Sequence, residues 1–282
     1  MKTADNNKAV FERYADALWH GDCKDAVENY MQAIEIYPSN KEAYGYRGLS
    51  SAKLYDQAKA IEDYTQVIEF DPNSAFAYYF RGISYAELGD HLKAIKDFTQ
   101  TIKIDPNHTV TYLLRGISYG ALDDHKRAIR DYTKAIQSNP KNADAYYERG
   151  RSYIELGEHS KAIKDFAQAI TIYPSHTDAY NFRGISYFAL GDIPKAIEDF
   201  TQTINIDPSD KDAYLGRGCL YAKLGDHSKA VEDLTRAIEI DPNNVYAYDM
   251  RGRSYFALGD YLKANADFAQ AIKLDPNNAK GL

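Results

Sequence analysis

The sequence has little of what marks a secreted, membrane-bound or nucleic-acid-binding protein. Its only two cysteines, Cys23 and Cys219, stand too far apart for a Cys-x-x-Cys metal or redox pair, and two do not make a disulfide framework. A reducing, cytoplasmic compartment is expected. No apolar run approaches the ~18–20 residues that span a bilayer, and the opening MKTADNNKAVFERYADALWHGD lacks an apolar signal segment. Membrane insertion is therefore not expected. Basic residues are in deficit, since 34 Lys and Arg against 41 Asp and Glu leave a net charge of −7. That balance argues against a nucleic-acid partner, because phosphate binding needs clustered cations. Absent too are G-x-x-x-x-G-K-[ST], H-E-x-x-H and any Rossmann-type glycine fingerprint. Tryptophan occurs once, whereas tyrosine occurs 25 times.

What the chain has is a period. Pro38, Pro72, Pro106, Pro140, Pro174, Pro208, Pro242 and Pro276 follow one another at intervals of 34 residues. Placing each at repeat position 32 divides residues 7–278 into eight gapless units (7–40, 41–74, 75–108, 109–142, 143–176, 177–210, 211–244 and 245–278), with a leader of 1–6 and a tail of 279–282. Length alone would suggest about two ordinary domains. The period replaces that estimate with a single repeat array.

In the third unit, Tyr78, Gly82 and Tyr85 recur at helical spacing up to Leu88, and Gly89-Asp90 reads as a helix stop and turn. A second amphipathic stretch from about Leu92 to Ile104 ends at Asp105-Pro106-Asn107, because proline cannot continue a helix. Each unit is thus expected to be a hairpin of helices A and B, and the chain all-α. No strand pattern competes.

The period of 34, with aromatic, Gly, Tyr, Ala, Phe/Tyr and Pro in that order, resembles the tetratricopeptide repeat (TPR). Gly48, Gly82, Gly116, Gly150, Gly184, Gly218 and Gly252 hold position 8, and alanine holds position 20 in every repeat. Position 4, usually Trp in that family, is Tyr in seven repeats; position 7, usually Leu, is Arg in all eight. The resemblance implies a right-handed TPR superhelix, an α-solenoid of eight helix-turn-helix repeats. It also implies a concave surface lined by positions 2, 5, 6, 9, 12 and 13 of helices A.

Features present in every repeat belong first to the building plan. Arg13, Arg47, Arg81, Arg115, Arg149, Arg183, Arg217 and Arg251 could read anions, yet Asp recurs at position 23 in seven repeats, with Asn29 in the first. A structural ladder of ion pairs is the simpler expectation. His91, His125, His159 and His227 share position 17, on stacked repeats too far apart to share one metal ion. They are expected to be solvated turn residues, with no metal and no cofactor. Gly116-Ile117-Ser118-Tyr119-Gly120 matches the G-x-S-x-G nucleophile pattern but lies inside a helix A, and the sequon Asn107-His108-Thr109 has no secretory context. No catalytic activity is expected.

A binding site should break the repeat. Phe76, Tyr79, Phe80, Ile83, Val110, Leu113, Leu114 and Ile117 make the groove positions of repeats 3 and 4 apolar, and Asp144, Tyr147, Arg151, Asp178 and Asn181 make those of repeats 5 and 6 polar. This is the expected site for a peptide or helix of a partner protein. The chaperone-type set of Lys and Asn reduces to Lys8 and Asn181, which disfavours a carboxylate-terminated ligand of that kind. Two alternatives stand beside the adaptor. Asn265 breaks the apolar position 21 of the last repeat, while Phe268, Ile272 and Leu274 are expected to be partly uncovered; Tyr14, Trp19 and His20 break the first. Self-association through the ends, giving a structural assembly or homo-oligomer, is one alternative. The other is the regulatory portion of a larger protein.

Overall fold

The structure, a computed structural model, describes residues 23–275. Lys8, Phe11, Arg13, Tyr14, Trp19, His20, Pro276, the leader 1–6 and the tail 279–282 lie outside the described residues. Those described form fifteen α-helices and no strand. Helix α1 (Cys23–Ile36) is the B helix of repeat 1. The A and B helices of the following repeats are α2 (Lys41–Lys53) and α3 (Gln57–Phe70), α4 (Ala75–Glu87) and α5 (His91–Ile104), α6 (Thr109–Gly120) and α7 (His125–Ser138), α8 (Ala143–Glu155) and α9 (His159–Ile172). Then come α10 (Thr177–Ala189) and α11 (Ile193–Ile206), α12 (Lys211–Lys223) and α13 (His227–Ile240), α14 (Val245–Ala257) and α15 (Tyr261–Leu274). The array gathers into two compact units, one ending at Pro140 and one beginning at Lys141.

The turn chemistry repeats with the sequence. After α4, Gly89 N–H bonds Ala86 O (3.0 Å) and Asp90 N–H bonds Tyr85 O (2.9 Å), the Schellman closure that needs a left-handed residue. Gly89 supplies it with φ +78°, and Asp90 then caps α5 by accepting from Lys93 N–H. Repeats 2 and 4 force the same turn on Tyr55 (φ 62°) and Asp123 (φ 58°). Across the proline turns, Asp71, Asp105, Asp207 and Asp241 each accept from the backbone N–H two residues on, which holds the chain between one helix B and the next helix A.

Packing explains the small residues. The alanines at position 20 from Ala26 to Ala264 are fully buried. A Cβ added at Gly82 would lie 2.7 Å from the ring of Phe98, and one at Gly116 2.6 Å from Tyr132, so the glycine leaves room for the aromatic ring of helix B.

The ladder forms as expected. Arg81 Nε and Nη2 grip Asp97 in a bidentate pair (2.7 and 2.9 Å), and Arg47, Arg115, Arg149, Arg183, Arg217 and Arg251 each hold the aspartate 16 residues on in the same way. Burial holds the Asp199 carboxyl above its usual range, against the opposing pull of Arg183. The remaining nitrogen reaches backward. Arg81, Arg115, Arg217 and Arg251 donate from Nη1 to Thr65, Thr99, Thr201 and Thr235 of the preceding repeat, each at 3.0 Å. Tyrosines flank the guanidinium: Arg81 lies 5.6 Å from the Tyr78 ring and 6.0 Å from Tyr85, a cation–π arrangement. Arginine at position 7 thus accounts for tyrosine at positions 4 and 11.

The histidines depart from expectation. His91, His125, His159 and His227 are the first residues of their B helices, half-buried, with Nδ1 out of contact with solvent and without a hydrogen-bond partner. They belong to the packing, not to a solvated turn.

Candidate functional site

With the ladder and the alanines absorbed by packing, the row of positions 2, 5, 6, 9 and 12 is a candidate surface for other molecules. In the second unit this row opens into a cavity of about 570 Å³. Leu215, Cys219 and Ala222 of α12 form its floor, Ile185 and Phe188 of α10 one wall, and Tyr246 and Met250 of α14 the other. The cause is local. Position 6 carries Tyr46, Phe80, Leu114, Phe182 and Met250 in sibling repeats but Gly216 here. The freed space is shared by Phe200, whose ring tip would stand 2.7 Å from a Cβ at Gly216.

Polar groups gather at the cavity. Arg253 Nε donates to Asp249 (2.8 Å), and Asn181 Nδ2 to Asp210 (2.9 Å). The second oxygen of Asp249 and the amide oxygen of Asn181 are buried without a partner. Lys223 lies 4.6 Å from the Phe188 ring, and burial pushes the Cys219 thiol up to about 11. That thiol is a packing group, not a nucleophile, at neutral pH. Among the described residues, no group of three or more His, Cys, Asp and Glu is placed to hold a metal ion, and no helix is long and apolar enough to cross a membrane.

The first unit has a smaller cavity of about 230 Å³ at Gly45, rimmed by the Lys41–Asp71 ion pair (3.0 Å) and Phe76. Of the residues expected there from sequence, Phe76, Val110 and Ile117 are exposed (41, 47 and 38%). Tyr79, Phe80, Ile83 and Leu114 are half-buried, with Phe76 and Phe80 4.7 Å apart and Tyr79 4.7 Å from His108. Leu113 is a correction: it is buried in the core and offers a partner nothing. In the second unit Asp144 and Asp178 are exposed. Arg151 lies over Tyr147 (5.8 Å) and Phe182 (5.7 Å) and pairs with Glu148 at 3.4 Å. Burial pushes Tyr147 up to about 12 and raises Glu148. Asn181 alone of the expected residues lines the larger cavity.

Profiles described as tetratricopeptide repeat match residues 15–75, 75–108, 113–177, 212–244 and 245–278, and one described as TPR repeat matches 184–225. The chain belongs to the tetratricopeptide repeat family. Among solved structures, this TPR array is similar to MamA at 27% identity and a TM-score of 0.55, over 58% of this chain and 96% of that one. It is similar to YrrB, described as a TPR protein with an unusual peptide-binding site, at 24% identity and 0.57, over 66% and 96%. It also resembles the C-terminal part of a TPR protein from Cytophaga hutchinsonii, at 21% and 0.70, over 84% and 97%. The last two likenesses are of fold. None of the curated proteins matches the sequence.

Proposed function

We propose that this TPR array is a non-catalytic scaffold that holds a segment of a partner protein on the groove positions of its A helices. The observation that carries the reading is the cavity at Gly216: an apolar recess of about 570 Å³, at the size of a ligand pocket, opened by loss of a side chain on the groove row. A bulky apolar side chain of the partner fills it, and Asn181 and Arg253, the latter held by Asp249, meet the backbone or polar side chains beside that anchor. Asp144, Tyr147, Arg151 and Asp178 serve as further contacts in the same unit, and Phe76, Tyr79, Phe80, Ile83, Val110, Leu114 and Ile117 as a contact surface of the first unit's own. A peptide is the ligand described for YrrB, on the same fold.

Selection of displayed random peptides on the protein tests this. The expected outcome is a family of peptides sharing one large apolar residue, whose affinity falls by about tenfold or more in Cys219→Phe, where the larger side chain rises from the floor into the cavity. Peptides that bind Cys219→Phe equally well would refute the cavity as the site.

A second reading, self-association, has its own observation. On α15, Leu262 and Tyr261 are 86% and 58% exposed, and Ile272 38%. Light scattering across concentrations tests it: a molar mass that rises with concentration and is restored to the monomer by Leu262→Ser supports it, and a constant monomer mass refutes it.

A further inference from the structure

A second surface, away from the groove row, is set apart by charge. In helices B, positions 18, 22 and 26 lie four residues apart and form one exposed stripe. In repeat 2 they are Ala58, Glu62 and Gln66; in repeat 6, Pro194, Glu198 and Gln202. Only in repeat 4 are all three cationic: Lys126, Arg130 and Lys134 of α7, every one exposed. Like charges at this spacing repel along the helix. The protein does not neutralise them, because among the described residues none of the three forms an ion pair with a carboxylate. The neighbouring acids are committed elsewhere: Asp131 is gripped by Arg115, and Asp124 by Arg127. The stripe stands out in a chain whose net charge is −7.

The stripe borders a recess of about 540 Å³ whose walls are Tyr112, Tyr119 and Gln137, with Arg127, Arg130 and Lys134 at its mouth. Repeat 2 has the equivalent recess, of about 450 Å³, between Tyr44 and Lys59, where Glu62 and Gln66 stand in place of Arg130 and Lys134. The molecule therefore contains its own comparison: a related recess with the opposite charge, narrower by one tyrosine wall because Ser51 stands where repeat 4 has Tyr119. The continuous cationic charge belongs to repeat 4.

We propose that the α7 stripe docks an extended acidic segment of a partner protein, with carboxylates at alternate residues. Successive cations on α7 are spaced by four helical residues, ~6 Å along the axis. Alternate side chains of an extended chain fall on one face every ~6.6–6.8 Å, so consecutive carboxylates meet Lys126, Arg130 and Lys134 in turn. The tyrosine walls accept the aliphatic stems between them. A nucleic acid suits the surface less well. Duplex DNA presents a charge every ~1.7 Å and needs a broad cationic footprint, whereas here three free cations are flanked by Asp123 and Asp124 on an acidic protein.

The test uses the whole chain and a fluorescein-labelled peptide of alternating Glu and Ser, followed by anisotropy at low ionic strength. The expected result is saturable binding that weakens as salt is raised, and that falls at least about tenfold in Arg130→Glu/Lys134→Gln, which gives repeat 4 the residues of repeat 2 at positions 22 and 26. The altered side chains are exposed and unpaired, so the helical circular dichroism should be unchanged. The converse variant, Ala58→Lys/Glu62→Arg/Gln66→Lys, should add a second, weaker site. No binding to the wild type, equal binding to the repeat 4 variant, or tighter binding of a single-stranded oligonucleotide or phosphatidylserine vesicles than of the peptide would overturn the proposal.

Discussion

Arg217 and Thr201 are joined across a repeat boundary: the guanidinium Nη1 donates to the threonine hydroxyl at 3.0 Å, while that hydroxyl donates to Ile197 O at 2.7 Å. The bond ties helix B of one repeat to helix A of the next. Position 25 is Thr in repeats 2, 3, 4, 6 and 7 but Ala167 in repeat 5, so Arg183 meets a methyl group's worth of side chain there. Ala167→Thr is expected to raise stability by about 0.5–1.5 kcal/mol, less the lower helix propensity of threonine, and Thr201→Val to lower it by a similar amount. Urea midpoints of the two variants check the pair of signs.

The ladder itself is worth most when one rung is half removed. Asp97 is 3% exposed and depends on Arg81 for both oxygens. Arg81→Met leaves a buried carboxylate unpaired and should cost about 3–5 kcal/mol, whereas the double change Arg81→Met/Asp97→Leu should recover most of that. Urea unfolding of the two variants separates the outcomes. Equal losses would mean that packing, not charge pairing, is what the arginine supplies.

Turn strain offers a gain. Tyr55 sits at φ 62° with 91% of its surface exposed, at the position where six other repeats have glycine. A non-glycine residue in that region costs roughly 1–2 kcal/mol, and Tyr55 has almost no packing to lose. Tyr55→Gly should therefore stabilise the protein, by a net of about 0.5–1 kcal/mol after the extra chain entropy of glycine. A rise in Tm measures it, and a fall would show that the exposed ring contributes more than its surface suggests.

Acid should loosen the helix caps. The Asp124 carboxyl is held below its usual range first by the Arg127 backbone N–H and then by the Arg127 side chain; in Asp90, Asp226 and Asp260 the leading cause is the lysine three residues on. A carboxyl depressed by folding lends stability above its unfolded pKa, and that contribution disappears as pH falls through the folded value. The loss therefore belongs below about pH 4. Asp124→Asn keeps the acceptor for Arg127 N–H but cannot titrate. Its urea midpoint should fall less steeply than that of the wild type as pH drops from about 6 to 2.

Much of this was legible in the sequence because a repeat writes its own alignment. Thirty-four-residue spacing located the hairpins, Gly89-Asp90 marked the turn, and Arg with Asp 16 residues on announced the ladder. Site reading was less complete, for a physical reason. Apolar groove residues such as Leu113 cannot be told from core residues by position alone, because neighbouring A helices bury part of the same row. The larger cavity was missed because its signal is subtractive: Gly216 supplies no chemistry, only the side chain that its siblings have and it lacks. Position 17 misled in the other direction, since turn-like spacing hid the first residue of a helix. The division into compact units after Pro140 has no mark in the sequence, where the period runs on without a gap.

The arginine has one further consequence. Repeats 2, 3, 4, 6 and 7 each carry a socket for their own Arg, the aspartate 16 residues downstream, and a peg for the successor, the threonine of helix B. Both halves of the joint therefore travel inside a single 34-residue module. A gene duplication that copies one such module inserts a unit already matched to the neighbours on either side, so the array can lengthen or shorten by whole repeats without any seam being redesigned.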